Sequence, residues 1–241
     1  ENGYLGRDLS ESGWGNKWDF IIVHESGHEW YGNNITTADI ADMWVHEGFT
    51  NYSETLFTTS QFGIEAGNDY VTGTRKLIEN DIPIIGPYGV NREGSGDMYY
   101  KGGNLLHMIR MMMGSDEDFR QLLREMNRRW YHRTTTSREI ESFIATKTGL
   151  PLQPVFDQYL RTTQIPSLLF RFEDGKVHFR WSDCLPEFNM KVKVRINGTP
   201  TWIDPGTNGT SIAVTAGAIP RVEPDRNFFI RFKMEIPEKQ P

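Results

Sequence analysis

Apolar residues recur at every third or fourth position over much of residues 18–159, as they do at Leu105, Met108, Ile109 and Met112. This spacing places apolar side chains on one face of a helix, because an α-helix turns once in about 3.6 residues. We therefore predict that the larger, N-terminal part of the chain is mainly helical.

Turn-forming residues divide this helical part into separate elements. Residues 82–95 are rich in glycine and proline, and this composition predicts a long loop. Helices are predicted at residues 116–131, 137–148 and 155–160. Gly149 comes directly after the second of these helices, where glycine is the usual stop signal.

The pattern changes to a period of two after Pro166, where apolar and polar residues alternate on either side of Asp174 and Gly175. An Asp-Gly pair favours a tight hairpin turn, because glycine accepts a positive φ. Five or six strands of this kind suit a small antiparallel β-sandwich. Further strands are predicted at residues 190–196, 201–203, 211–215 and 228–236.

The change of period also predicts a domain boundary. A chain of 241 residues is long enough for two domains, at about 100 to 200 residues each. We predict an α+β, multidomain fold in which residues 1–165 form a mainly helical domain and residues 166–241 form the β-sandwich.

Composition and charge exclude several classes of protein. With 37% hydrophobic and 12% aromatic residues, the chain is typical of a globular protein. The net charge of −6 argues against nucleic acid as a partner, and the single cysteine, Cys184, excludes an internal disulfide framework. Apolar runs are far shorter than the roughly 20 residues of a membrane span. We expect a soluble chain without such a span, either cytoplasmic or exported, and the oligomeric state stays open.

The strongest local pattern is His24-Glu25-Ser26-Gly27-His28, an H-E-x-x-H sequence flanked by apolar residues. Positions i and i+4 share one helix face, so both imidazoles can bind the same ion with Glu25 beside it. Two half-buried core histidines would give the same pattern, so a third ligand is needed to support a metal site. We expect the mid-helix Gly27 to allow close approach of another segment.

Glu47 can supply the third ligand. A catalytic zinc site of the thermolysin type needs two histidines and a carboxylate, with one position left for water. Glu47 lies in a second predicted helix, and 18 residues separate it from His28. The alternative metzincin pattern needs glycine and histidine where this chain has Tyr31 and Asn34. We therefore predict one Zn²⁺ per chain, bound by His24, His28 and Glu47.

This set of ligands suits hydrolysis. Two neutral imidazoles and one carboxylate leave the zinc ion with a net positive charge, which can lower the pKa of a bound water to about 7. Glu25 can then accept the proton of that water and act as a general base. The residues alone therefore predict a zinc-dependent hydrolase.

Three motifs in order carry a family resemblance: HESGHEWYGNNIT, WVHEGF and MYYKGGNLL. Together they resemble the zinc aminopeptidases related to aminopeptidase N and leukotriene hydrolase, which are members of the gluzincins. The resemblance covers about residues 18–165, and it implies a thermolysin-like catalytic domain that removes N-terminal residues from peptides. The matching residues are His24, Glu25, His28, Gly32, Asn33, Trp44, Glu47, Gly48, Phe49, Tyr99, Lys101 and Gly102.

The resemblance also implies roles for residues around the ligands. Tyr99 would donate a hydrogen bond to the oxyanion of the tetrahedral intermediate, with the adjacent Tyr100 as the alternative donor. Asp42 matches an acidic position of the family and either orients a ligand or is a solvated carboxylate. His46 replaces the usual asparagine and is either a hydrogen-bonding residue beside the ligands or a tolerated neighbour of the glutamate ligand, and we favour the second interpretation.

One family motif is not found in this chain. The family's G-x-M-E-N segment carries the glutamate that holds the substrate's α-amino group, and Glu1-Asn2 lacks the Gly-x-Met that should precede it. Exopeptidase specificity therefore rests on the resemblance, and a zinc endopeptidase remains an alternative. A non-catalytic peptide-binding or scaffolding relative is the second alternative. Because the chain starts without methionine, we expect it to be part of a longer protein. The resemblance implies that its substrates are peptides.

Overall fold

The computed structural model describes residues 7–214 and 219–235. Within these residues, seven α-helices lie before residue 166, so the prediction of a mainly helical N-terminal part is confirmed. The helices are α1 (Phe20–Gly27), α2 (Trp44–Phe62), α3 (Ile64–Gly73), α4 (Tyr100–Met113), α5 (Asp116–Arg129), α6 (Ser137–Thr148) and α7 (Gln153–Arg161). Short 3-10 helices span Trp14–Lys17, Ile40–Asp42, Thr74–Leu77 and Gly96–Met98.

Helix α6 shows why these segments are helical. Thr136 and Glu139 form a reciprocal capping box that satisfies free backbone N–H groups at its start. Gly149 ends the helix in a left-handed conformation, with φ of 66°, as the sequence predicted. Helix α5 ends at Arg129 rather than at the predicted position 131, because the backbone of Trp130 leaves the helical conformation.

The predicted loop is also present: residues 78–95 connect two short 3-10 helices without forming a regular element of their own. Two three-residue strands, β1 (Ile35–Thr37) and β2 (Arg133–Thr135), pair in parallel within the helical part. This pair was not predicted, since three residues are too few to show an alternating pattern. The pair ties the segment after α1 to the segment before α6.

After residue 166 the described chain forms two sheets. The first has the strand order β7-β4-β3-β9, and the second has the order β6-β5-β8. Most neighbours are antiparallel, but β3 and β9 are parallel. The predicted hairpin at Asp174 and Gly175 joins β3 to β4, and both residues have a positive φ. The strands are β3 (Ser167–Glu173), β4 (Lys176–Ser182), β5 (Val192–Ile196), β6 (Thr199–Ile203), β7 (Thr210–Ala213), β8 (Val222–Pro224) and β9 (Arg231–Met234).

The described strands differ from the predicted ones in number and length. Seven strands occur where five or six were expected, because the short strand β8 was not predicted. The predicted strand at residues 228–236 is reduced to β9, since Phe228 lies in a bend and residues 229–230 form no regular element. Thr215 and Ile236, which end two predicted strands, lie outside the described residues.

One continuous apolar core runs from the helices into the sheets. It includes Trp44 of α2, Phe156 of α7 and Leu168 of β3, all of which are fully buried. Polar contacts cross the same junction, since the Tyr159 hydroxyl donates to the Phe229 carbonyl at 2.6 Å. In residues 7–214 and 219–235, no helix combines the length and apolar character that crossing a bilayer requires.

Candidate metal centre

Helix α1 presents both histidines of the H-E-x-x-H motif. His24 lies in its last turn, and His28 caps its end with a backbone that is still helical, at φ −63° and ψ −17°. The imidazoles therefore stay on one helix face, with ring centroids 5.0 Å apart. A Cβ atom on Gly27 would lie only 3.0 Å from Thr50 Cγ2 of α2, so the expected close approach at this glycine is confirmed.

Helix α2 brings Glu47 to the same point. The carboxylate oxygen Oε2 of Glu47 lies 3.1 Å from His24 Nε2 and 3.4 Å from His28 Nε2. The start of α2 is fixed by Trp44, whose indole Nε1 donates to Ser137 Oγ at 2.7 Å. One ligand atom from each of the three predicted ligands lies within 4.8 Å of the other two.

The second ring nitrogen of each histidine is held by the protein. His24 Nδ1 donates to Glu54 Oε1 at 2.9 Å, and His28 Nδ1 donates to the Tyr31 carbonyl at 3.0 Å. Because Nδ1 of each ring bonds elsewhere in the protein, Nε2 is the atom of each ring that faces Glu47. Bonds of this kind fix the tautomer and orientation of metal-binding histidines.

Glu54 belongs to the same cluster, although the sequence did not predict a role for it. Its carboxylate is almost fully buried, and besides His24 it accepts hydrogen bonds from the Tyr70 hydroxyl at 2.6 Å and the Asn51 amide at 3.1 Å. The available signal was its spacing, since Glu54 follows Glu47 by two helical turns on the same face of α2.

The electrostatics of the cluster favour positive charge at His24. Burial alone would lower the pKa of His24, but hydrogen bonds to Glu47 and Glu54 outweigh it and raise the pKa to about 9. Two carboxylates therefore face one imidazole from opposite sides. A cation between His24, His28 and Glu47 would be stabilised by the same field.

Glu25 and Tyr99 flank the predicted ligands. Glu25 is solvent-exposed and follows His24 directly in α1. Tyr99 precedes α4, and its ring centroid lies 5.7 Å from that of His24. Burial, together with the nearby Glu47 carboxylate, raises the pKa of Tyr99 to about 12, so its hydroxyl keeps its proton at neutral pH.

Asp42 and His46 have surroundings that differ from those expected from the sequence. Asp42 is fully buried, so it is not a solvated carboxylate, and it accepts a hydrogen bond from the Tyr88 hydroxyl at 2.6 Å rather than from a ligand. The Nε2 atom of His46 accepts a hydrogen bond from the Thr37 backbone at 2.9 Å. His46 therefore connects α2 to β1, and it is more than a tolerated neighbour of Glu47.

The chain is similar to known peptidases over the region that contains these motifs. Residues 10–159 match the peptidase family M1 domain. Aminopeptidase N of Lactococcus lactis subsp. lactis is 24% identical over 159 residues, which cover 61% of this chain and 19% of that protein. Leukotriene A-4 hydrolase of Xenopus laevis is 25% identical over 137 residues, covering 52% of this chain and 22% of that protein.

A shorter but more similar stretch relates the chain to human aminopeptidase B, with 42% identity over 66 residues that cover 27% of this chain and 10% of that protein. The chain thus spans less than a quarter of the length of each of these relatives.

Solved structures share the fold. Aminopeptidase A of Legionella pneumophila, solved with aspartic acid, superposes on 98% of this chain with a TM-score of 0.69 and 13% identity, over 29% of its own length. The M1 zinc metallopeptidase of Deinococcus radiodurans covers 60% of this chain and 33% of its own length, with a TM-score of 0.51 and 24% identity. Because the M1 domain match extends over more than half of the 241 residues, the chain belongs to the M1 family of peptidases.

Proposed function

We propose that this chain carries the zinc site of a metallopeptidase, and that the enzyme is an aminopeptidase that removes N-terminal residues from peptides. The observation that carries the proposal is the convergence of His24, His28 and Glu47, whose ligand atoms lie within 4.8 Å of one another. Membership of the M1 family supports the same chemistry.

The donor set fits one zinc ion. Zinc in catalytic sites takes histidine nitrogens and a carboxylate oxygen and keeps one position open. His24 and His28 direct Nε2 toward Glu47 because their Nδ1 atoms are already bonded elsewhere. When bound, zinc acts as a Lewis acid that polarises a scissile carbonyl and lowers the pKa of water to about 7.

Glu25 is the general base of the proposed reaction. Its position directly after His24 and its exposure to solvent leave the carboxylate free to accept a proton from the attacking water. The same carboxyl group can then deliver that proton to the leaving amine. A binding-only protein would have no physical need for a carboxylate at this position.

Tyr99 is the proposed oxyanion donor. Its hydroxyl lies beside the ligands and stays protonated, because burial and Glu47 hold the pKa near 12. A protonated phenol can donate to the oxygen on which negative charge develops in the transition state. Tyr99 packs against the His24 ring, and this contact favours Tyr99 over Tyr100 as the donor.

The proposal also includes the domain organisation. We interpret residues 1–165 as a thermolysin-like catalytic domain and residues 166–241 as a β-sandwich domain. The helical order of α1 to α7 and the two separate sheets after residue 166 support this division. The substrate class rests on the aminopeptidase relatives, since the G-x-M-E-N segment is not found in this chain.

Hydrolysis of short peptides tests the proposal. Glu25→Gln should retain zinc but lose nearly all turnover, because an amide cannot accept the proton of water. Glu29→Gln, which changes an exposed glutamate in the same segment, is the control and should keep its activity. Full turnover in Glu25→Gln would exclude Glu25 as the base.

The substrate class is tested with the same peptides carrying free or N-acetylated amino termini. An aminopeptidase should cleave only the unblocked series. Equal cleavage of both series would favour the endopeptidase alternative. A zinc-binding protein that cleaves neither series would favour the non-catalytic alternative.

A further inference from the structure

Two glycines form the contact between the element that carries the glutamate ligand and the element that follows Tyr99. Gly48 comes directly after Glu47 in α2, and Gly102 lies in the first turn of α4. Both glycines are buried at the crossing of these helices. Neither glycine is a proposed zinc ligand or takes part in the proposed hydrolysis.

The helices cross too closely for a side chain at either position. A Cβ atom on Gly48 would lie 3.0 Å from the Met98 carbonyl oxygen and 3.4 Å from the Cα atom of Gly102. A Cβ atom on Gly102 would lie 3.2 Å from the Cα atom of Gly48. These neighbours are backbone atoms, which cannot rotate away as a side chain can. An added methyl group would therefore separate the two helices by a few tenths of an ångström.

On both sides of the contact, the backbone carries a group of the proposed reaction close in sequence. On α2 the neighbour of Gly48 is Glu47, whose carboxylate faces His24. On the other side, Tyr99 lies between Met98 and Gly102 in the sequence, and its ring packs on His24. A shift at the crossing is therefore transmitted to the distance between the Glu47 carboxylate and the Tyr99 hydroxyl.

Lys101 holds the α4 side of this crossing in place. Its side chain is fully buried, and Nζ donates to the Thr162 carbonyl at 3.1 Å, where α7 ends. The first turn of α4 is thus fixed by α7 on one side and pressed against α2 on the other. This arrangement leaves little freedom for α4 to absorb an added methyl group.

We propose that Gly48 and Gly102 are positioning residues, and that their direct backbone contact sets the separation between the Glu47 carboxylate and the Tyr99 hydroxyl. The inference rests on the proposed function, in which Tyr99 stabilises the oxyanion. It assigns a physical reason to the glycine in both W-x-x-E-G-F and Y-x-K-G: each glycine makes room for the backbone of the other motif.

A graded series of substitutions tests the proposal kinetically. Gly102→Ala should lower kcat about tenfold and Gly102→Val about a hundredfold, since small misplacements of reacting groups are costly. KM and zinc content should stay near the wild-type values. Gly96→Ala is the matched control, because a Cβ atom there meets nothing within 4 Å, and its kcat should be unchanged.

A spectroscopic measurement follows the Tyr99 ring without relying on turnover. The protein is labelled with 3-fluorotyrosine and loaded with Co²⁺, and the Tyr99 signal among the nine tyrosines is identified by its loss in Tyr99→Phe. We expect its paramagnetic ¹⁹F shift to change progressively from wild type to Gly102→Ala to Gly102→Val. The shift in Gly96→Ala should match the wild type.

A Tyr99→Phe background separates positioning from general damage. If Gly102 acts through Tyr99, Gly102→Val should cause no further loss of kcat once the hydroxyl is gone. A full additional loss, or an unchanged ¹⁹F shift in Gly102→Val, would overturn the proposal. If Tyr99→Phe alone keeps full kcat while the ¹⁹F shift still responds to Gly102, the oxyanion role fails and the positioning contact stands.

Discussion

Glu54 is a buried carboxylate that contacts one of the three proposed zinc ligands. It bonds to His24 Nδ1, and it is itself fixed by Tyr70 and Asn51 in a site closed to solvent. Removing the charge of Glu54 would loosen the orientation of the His24 ring and make the Nε2 atom of His24 less basic. Partners of this kind commonly contribute about 10- to 100-fold to metal affinity.

We therefore expect Glu54→Gln to weaken zinc binding about 10- to 100-fold while leaving the three ligands in place. The measurement is competition against a chromogenic chelator at fixed pH. Glu79→Gln, at an exposed glutamate far along the chain, provides the control. Equal zinc affinity in Glu54→Gln and wild type would show that the His24 contact has no effect on the metal.

For single residues, the sequence predicted that His24, His28 and Glu47 come together, but it did not predict the residues that hold them. The spacing of His24, Glu25 and His28 implies one helix face whatever the rest of the fold does. Glu54 could not be chosen in the same way, because its role depends on burial and on the crossing of α1 with α2. Asp42 illustrates the converse, since a family position suggested a ligand partner and the fold pairs it with Tyr88.

Among the elements, α2, α6 and α7 are joined by a chain of buried polar groups. Trp44 donates to Ser137, and the Ser137 hydroxyl donates to Glu141 at 2.6 Å. The guanidinium of Arg161 in α7 makes two bonds to the same carboxylate, at 2.6 and 3.1 Å. Because Glu141 is fully buried, removing one of these partners would leave its carboxylate poorly compensated.

Arg161→Met should destabilise the protein by about 3 kcal/mol, since it leaves a buried carboxylate with only weaker partners. The measurement is urea unfolding monitored by circular dichroism. Arg120→Met serves as the control, because Arg120 and its partner Glu117 are both largely exposed, and it should cost less than about 1 kcal/mol. Similar losses in the two variants would mean that the buried network adds nothing beyond a surface ion pair.

The elements that the sequence predicted well are those with strong local signals. Helix α6 has a capping box and a terminal glycine, and the β3–β4 hairpin has its Asp-Gly turn, so each is specified by neighbouring residues. The β1–β2 pair and strand β8 have only three residues each. Such short strands exist because tertiary contacts hold them, and local periodicity carries too little information to predict them.

Across the whole molecule, residues 225–230 connect the sheets to the helices through polar contacts. The Nε2 atom of His107 in α4 bonds to Asn227 at 3.0 Å, and its Nδ1 bonds to the Tyr52 hydroxyl at the same distance. Arg75 reaches the same segment, donating to the Arg226 carbonyl at 2.7 Å. The change of period near Pro166 predicted where strands begin, but the partners across this junction required the folded chain.

His107 makes this junction sensitive to acid. Burial lowers its pKa to about 4, although the Asn227 hydrogen bond opposes this, while the ordinary value is 6.5. Below pH 6.5 the unfolded chain therefore gains a proton at His107 that the folded protein does not, so stability falls between pH 6.5 and 4 and is fully present above 6.5. The corresponding loss between pH 7 and pH 5 is about 2 kcal/mol.

His107→Gln should remove this dependence. Urea unfolding at pH 7 and pH 5 should show that the wild type loses about 2 kcal/mol more than the variant does over this interval. The comparison cancels the titration of carboxyl groups, which both proteins share. An equal loss in the two proteins would mean that His107 takes up a proton in the folded state as readily as in the unfolded chain.

Metal stoichiometry tests whether His24, His28 and Glu47 bind one zinc ion. The protein is stripped with a chelator, incubated with zinc, separated from free metal by gel filtration and analysed by mass spectrometry. We predict one zinc per chain in the wild type and a strongly reduced content in Glu47→Ala and Glu47→Gln, with circular dichroism confirming that both variants are folded. A folded wild type without zinc, or full zinc in both Glu47 variants, would show that these three residues do not form the proposed zinc site.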